Sequence, residues 1–262
     1  MEFANPVSTP CILGQELRKE GEGKLINTTM FKSLVGNLTY LTATRLDIMF
    51  AVSLISRFME APHSEHWEAA KRILRYVKGT IDYGIFYQAN VPITLFGYTD
   101  SDLARSVDDR KSTSGYAFSI GSGVICWSSK KQPIVALSTT EAEYIVASFA
   151  SCQIVWLRGI LENLNHKQDA PTTLLCDNNS VISVTKELVL HGRTKHIRMR
   201  YHFLRELVQD GIIQVKYCKT EDQVSDVFTK PIGGQNFKKQ LARLGMKSKF
   251  SLREAMLENK PN

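Results

Sequence analysis

Cysteine is scarce in this sequence, with five in 262 residues. Cys11, Cys126, Cys152, Cys176 and Cys218 are odd in number, widely spread and include no CxxC pair. That pattern excludes a disulfide framework and a cysteine zinc site. Long apolar runs are missing too. The longest apolar-rich stretch, Ile48 to Met59, is broken by Ser53, Ser56 and Arg57 and is too short to span a bilayer. No membrane is therefore expected as a partner. Met1 to Pro6 has neither a basic segment nor an apolar core, which excludes a secretory signal. A reducing, intracellular setting fits these absences.

What is present is ordinary for a globular protein: 43% hydrophobic and 23% charged residues. Thirty-three basic residues against 26 acidic ones leave a net charge of +7 and a pI near 9.1. Such a balance favours a polyanionic partner.

The first 26 residues carry Pro6, Pro10, Gly14, Gly21 and Gly23 with little periodicity, and read as a loose lead-in. From Asn27 the pattern turns helical. Phe31, Leu34, Val35, Leu38 and Leu41 recur at three- and four-residue steps, and a later helix is expected to open after Ser64 and end before Gly79. Past Gly84 the texture changes to strands, at Ile93–Thr99, Gly115–Ile120 and Val124–Ser128, the last two joined by a Gly121-Ser122-Gly123 turn. Ser138-Thr139-Thr140-Glu141 is a capping box opening a long helix to about Leu164. Thr173–Cys176 reads as a strand, Asn178–Lys186 and Thr194–Gln209 as helices, and Ile212–Tyr217 as a strand. Thr220-x-x-Gln223 then opens a last helix. The expected fold is mixed α/β, a five-stranded mixed sheet flanked by helices and preceded by a small helical module.

Four acids stand out by position. Asp100 ends the first strand of the sheet and Asp177 the fourth, Glu143 faces an apolar stripe in the long helix, and Asp226 lies between Val224 and Val227. A carboxylate on an apolar stripe costs desolvation energy unless it is compensated. Four carboxylates brought together repel unless cations neutralise them. Oxygen donors without His or Cys call for Mg²⁺, with Mn²⁺ as a substitute. Two such ions about 3.5–4 Å apart drive in-line attack of water on a phosphodiester. Glu141 is read as a cap, and Asp102, Asp108 and Asp109 as solvated loop acids.

A second constellation is basic. Arg193, Lys195, His196, Arg198, Arg200 and Tyr201, with Arg205 beyond, run without an acid. They suit a phosphate backbone, and Lys130 and Lys131 add contacts from the strand side.

The wording of these segments resembles a known family. Tyr98-Thr99-Asp100-Ser101-Asp102, Trp127-Ser128-Ser129-Lys130-Lys131-Gln132-Pro133, Ala136-Leu137-Ser138-Thr139-Thr140-Glu141-Ala142-Glu143-Tyr144, Cys176-Asp177-Asn178 and His191-Gly192-Arg193-Thr194-Lys195-His196 look like the C-terminal part of the Pol polyprotein of Ty1/copia-type LTR retrotransposons, plant ones in particular. The resemblance implies a ribonuclease H-like domain over residues 91–235. Residues 27–90 resemble the segment that joins it to reverse transcriptase, and 236–262 form a helical tail. It further implies that Asp100, Glu143, Asp177 and Asp226 are the catalytic, metal-binding carboxylates. The implied substrate is an RNA–DNA hybrid, with the rest of Pol as a partner and no small-molecule cofactor. The aromatic-x-Asp-Asp hairpin of a polymerase is absent: Ser106-Val107-Asp108-Asp109 lacks the aromatic. Gly159 stands where the family usually shows Arg. The competing expectation is a non-catalytic, nucleic-acid-binding remnant.

Overall fold

The computed structural model describes residues 3–186 and 195–249 and, of residues 186 and 195–201, the backbone alone. Its contacts divide the chain into one unit of residues 1–87 and 230–262 and a second of residues 88–229.

In the first unit Asn27 caps α1 (Thr28–Leu41), its side chain accepting from Met30 N–H at 2.9 Å. Phe31, Val35 and Leu38 form the buried stripe. The short α2 (Met49–Ile55) follows a 3₁₀ turn, and α3 (Ser64–Gly79) comes next. Ser64 is not the cap of α3. His63 takes that place, its backbone N–H bonded to His66 Nδ1 at 2.9 Å. A buried polar cluster ties the connection between α1 and α2 to the end of α3: Arg45 donates to both oxygens of Asp47, at 2.9 and 2.7 Å, and to Thr80 O at 3.0 Å, while Tyr76 OH donates to Asp47 Oδ2 at 2.7 Å. The described residues of the lead-in hold no helix or regular strand, yet they are pinned to α3 by Arg75 Nε on Asn5 O (2.7 Å) and Arg72 Nη2 on Thr9 Oγ1 (3.1 Å). After α3 comes β1 (Tyr83–Ile85).

The second unit carries the sheet. Its strands are β2 (Leu95–Ser101), β3 (Thr113–Ile120), β4 (Gly123–Lys131), β5 (Thr172–Cys176) and β6 (Ile213–Tyr217). The order is β4-β3-β2-β5-β6, antiparallel across β4-β3-β2 and parallel across β2-β5-β6. This is the mixed α/β fold expected, a five-stranded mixed sheet flanked by helices. Between β4 and β5 runs α4 (Thr139–Asn163), and between β5 and β6 run α5 (Asn179–Lys186) and α6 (Lys195–Gln209). Ala147, Ala150, Ile154, Leu157 and Leu161 recur along one face of α4 and are buried with Phe118, Leu174, Leu204 and Ile213. Among the described residues helix α4, not Ile48–Met59, is the long apolar segment. It is long and apolar enough to cross a membrane, but here it forms the core of the sheet.

Two expectations are corrected. No α-helix opens at Thr220. Gln223 breaks it, in extended backbone, with Nε2 donating to Thr99 O at 2.8 Å and Oε1 accepting from Ser225 N–H at 3.2 Å. Only 3₁₀ turns form, at Thr220–Asp222 and Val224–Phe228. Nor are the described residues of the expected helical tail, 236–249, helical throughout. The chain re-enters the first unit at Lys230, where α7 (Gly234–Arg243) packs Phe237 on Tyr76 at 5.9 Å and β7 (Met246–Ser248) pairs antiparallel with β1.

Candidate metal centre

Adjacent parallel strands end on the same side of a sheet, which is where ligands gather in open α/β folds. Strands β2 and β5 are such neighbours, with Tyr98 in register with Leu175. Their ends deliver Asp100 and, one residue beyond β5, Asp177. Asn178 caps α5, its Oδ1 accepting from Ser180 N–H at 2.9 Å, so Asp177 is not spent on the cap. Glu143 arrives from α4. Ser138 Oγ accepts from Glu141 N–H at 3.1 Å, and Glu141 Oε2 accepts from Leu137 N–H at 2.7 Å. Ser138 is therefore the cap and Glu141 is held at the start of the helix as its capping partner, while Glu143 is buried.

One ligand oxygen from each of Asp100, Glu143 and Asp177 lies within 4.8 Å of the others. Asp100 and Glu143 are buried, at 3% and 5% exposure, and Asp177 is half-buried. At that distance two full charges repel by about 3 kcal/mol at an effective dielectric near 20, so the group must be braced. Ser101 N–H donates to Glu143 Oε1 at 3.0 Å, joining β2 to α4, and the Thr229 hydroxyl donates to Asp100 Oδ2. Asp226 is not in the group of three. It is buried in the Val224–Phe228 turn, whose end carries Thr229.

The donor set fits a hard divalent cation, since it offers carboxylate oxygens alone. The neighbouring sulfurs do not compete. Burial pushes the Cys176 thiol up to about 12, with Glu143 and Asp177 adding to the rise, and burial with Asp177 does the same to Cys218. A neutral thiol is a poor metal ligand.

The basic candidates divide. Lys130 is exposed at the end of β4. Lys131 is engaged by Asp109, Nζ to Oδ2 2.7 Å. Asp109 and Asp102 are thus not free loop acids; Asp102 accepts from Thr113 N–H. Arg205 faces inward, 6% exposed, with Nη2 donating to Val184 O at 3.3 Å. Arg193 lies outside the described residues. Lys195, His196, Arg198, Arg200 and Tyr201 lie on or beside the α6 backbone, with side chains outside them.

Thr229 carries no sequence signal of its own; only the fold brings its hydroxyl to Asp100.

The retrovirus-related Pol polyprotein of transposon TNT 1-94 from Nicotiana tabacum is 41% identical over 257 residues, 95% of this chain and 19% of that protein. The Pol polyprotein of transposon RE2 from Arabidopsis thaliana is 39% identical over 244 residues, 92% of this chain and 17% of that one. The chain thus spans less than a fifth of the length of these curated relatives. No protein-family model matches it. Ribonuclease H1 of the archaeon Halobacterium salinarum, a solved structure, covers 52% of this chain and 94% of its own at 13% identity and a TM-score of 0.39.

Proposed function

The chain belongs to the retrovirus-related Pol polyproteins of copia-type transposons, and we propose that it is the ribonuclease H part of such a polyprotein, hydrolysing the RNA strand of RNA–DNA hybrids. One observation carries this reading: three carboxylates from β2, β5 and α4 meet within 4.8 Å at the strand ends. Asp100, Glu143 and Asp177 would hold the metal, and Asp226 would complete the set from the turn beside Thr229. Two Mg²⁺ ions, or Mn²⁺ in their place, supply Lewis acidity and an activated water when bound.

The chain's own residues do the rest. Ser101 N–H and Thr229 fix the Glu143 and Asp100 oxygens before substrate arrives, so no reorganisation is needed at the moment of reaction. Lys130, Arg193, Lys195, His196, Arg198, Arg200 and Tyr201 hold the hybrid by its phosphates, with Lys131 contributing when it leaves Asp109. Contacts to 2′-hydroxyls would distinguish RNA from DNA. No reverse transcription is expected of this chain, and its setting is intracellular, in a particle, the cytoplasm or the nucleus.

The test is an end-labelled RNA–DNA hybrid incubated with the purified chain. Mg²⁺-dependent cuts in the RNA strand alone are expected. A folded chain that binds the hybrid and leaves it whole would reduce the function to nucleic-acid binding.

A further inference from the structure

We propose that Gln132 is a positioning residue for the metal centre, a single amide that sets the spacing of Asp100 and Glu143. This rests on the reading of the three carboxylates as metal ligands. Gln132 follows β4 and is 2% exposed. Its backbone N–H donates to Ser112 O at 2.7 Å, which fixes its place beside β3. Its side-chain Nε2 faces three acceptors: Ser101 Oγ at 3.1 Å, Ser114 Oγ at 2.9 Å and Ala142 O at 3.0 Å.

Those three atoms belong to the elements that carry the site. Ser101 follows Asp100, and its own N–H holds Glu143 Oε1 at 3.0 Å. Ala142 precedes Glu143 on α4. Ser114 stands in register with Ser101 across β2 and β3. One NH₂ group therefore ties the end of β2, the start of β3 and the first turns of α4 together around two ligands.

The amide cannot be reversed, because a carbonyl oxygen in place of Nε2 would face the carbonyl of Ala142. In the orientation observed, Gln132 Oε1 is buried and makes no hydrogen bond among the described residues. A buried unsatisfied carbonyl costs free energy. The donor end is satisfied by groups that flank the two ligands while the acceptor end is not, so the arrangement of the donor toward the site explains a glutamine. Residues that orient metal ligands typically change metal affinity 10–100-fold when replaced.

The test uses the full chain as wild type, Gln132→Met and Gln132→Glu, both similar in size and lacking the N–H donors. A Ser101→Ala/Ser114→Ala double variant, which removes two acceptors and keeps the glutamine, replaces them if they fail to fold. Mn²⁺ affinity is read by electron paramagnetic resonance without nucleic acid, and hybrid cleavage is read against Mn²⁺ concentration. A 10–100-fold weaker Mn²⁺ affinity is expected, with unchanged hybrid binding in EDTA and cleavage restored by excess Mn²⁺. Affinity within twofold of wild type in a folded variant would overturn the proposal, as would a wild type that binds no Mn²⁺. Weakened Mn²⁺ binding together with a wild type that never cleaves the hybrid would uphold Gln132 and overturn only the ribonuclease reading.

Discussion

Gly115 lies directly opposite Asp100 in the β2–β3 pair, and its missing side chain is where the Val224–Phe228 turn closes on the site. A Cβ there would stand 2.7 Å from Phe228 Cβ, 2.8 Å from Thr229 Cγ2 and 3.2 Å from Ser225 O. Asp100 therefore receives the Thr229 hydroxyl because its cross-strand neighbour is glycine. Gly115→Ala is expected to cost about 1–3 kcal/mol in urea denaturation, the usual penalty of overpacking. Metal binding should weaken as Thr229 is pushed away. A change under about 0.5 kcal/mol, within the range of neutral substitutions, would show that the turn is not closely packed.

Three carboxylates crowded together oppose folding unless a cation neutralises them. Asp177→Asn removes one of three like charges within 4.8 Å of one another and relieves their repulsion. In EDTA the variant should melt at or above the wild-type temperature while losing Mg²⁺-dependent cleavage. A variant that melts well below wild type in EDTA would show that Asp177 is structural.

The Asp109–Lys131 pair sets a pH dependence. Burial pushes the Asp109 carboxyl up, but the hydrogen bonds from Lys131 and Ser106 outweigh it and hold Asp109 at about 2. A carboxyl lowered in the folded state adds stability above its unfolded value, near 4, and loses it as pH falls toward 2. Both side chains are about a third exposed, 34% and 27%, so screening limits the gain to about 1 kcal/mol or less. Asp109→Asn should be slightly less stable than wild type at pH 7, with the difference shrinking steadily as pH falls from about 4 toward 2. A difference that stays constant between pH 7 and 2 would remove the ion pair as its cause.

Gly159 sits inside α4 with open space where a Cβ would go. Gly159→Ala should stabilise the chain by about 0.5–1 kcal/mol through helix propensity and a less flexible unfolded state. Thermal unfolding at fixed pH checks it. No gain, or a loss, would mean that the helix backbone at Gly159 already meets something a methyl displaces.

Much of this was legible in the sequence because it is local. The periods of β2 to β6 and the Ser138–Glu141 capping box mark their elements, and the box by itself separates Glu141 from Glu143. The convergence of Asp100 and Asp177 follows from strand ends alone. What escaped is long-range. Gln223 reads as a helix-opening residue until Thr99 O, 124 positions away, is seen to hold its side chain. The return of α7 and β7 to the first unit depends on Phe237 meeting Tyr76, which no periodicity encodes. Thr229 acts through an atom far along the chain, so its residue type carries no mark of its task.

Two glutamates two residues apart give the most direct test of the central claim, that buried carboxylates at the strand ends hydrolyse RNA. Single-turnover cleavage of an RNA–DNA hybrid in Mg²⁺ would be measured for wild type, Glu143→Gln and Glu141→Gln. The account predicts that Glu143→Gln loses at least about 10³-fold, some 4 kcal/mol of transition-state stabilisation, while remaining folded. Glu141→Gln should keep its rate, since it alters only a cap. Cleavage by Glu143→Gln within tenfold of wild type would contradict the account, and so would a folded Glu141→Gln that no longer cleaves.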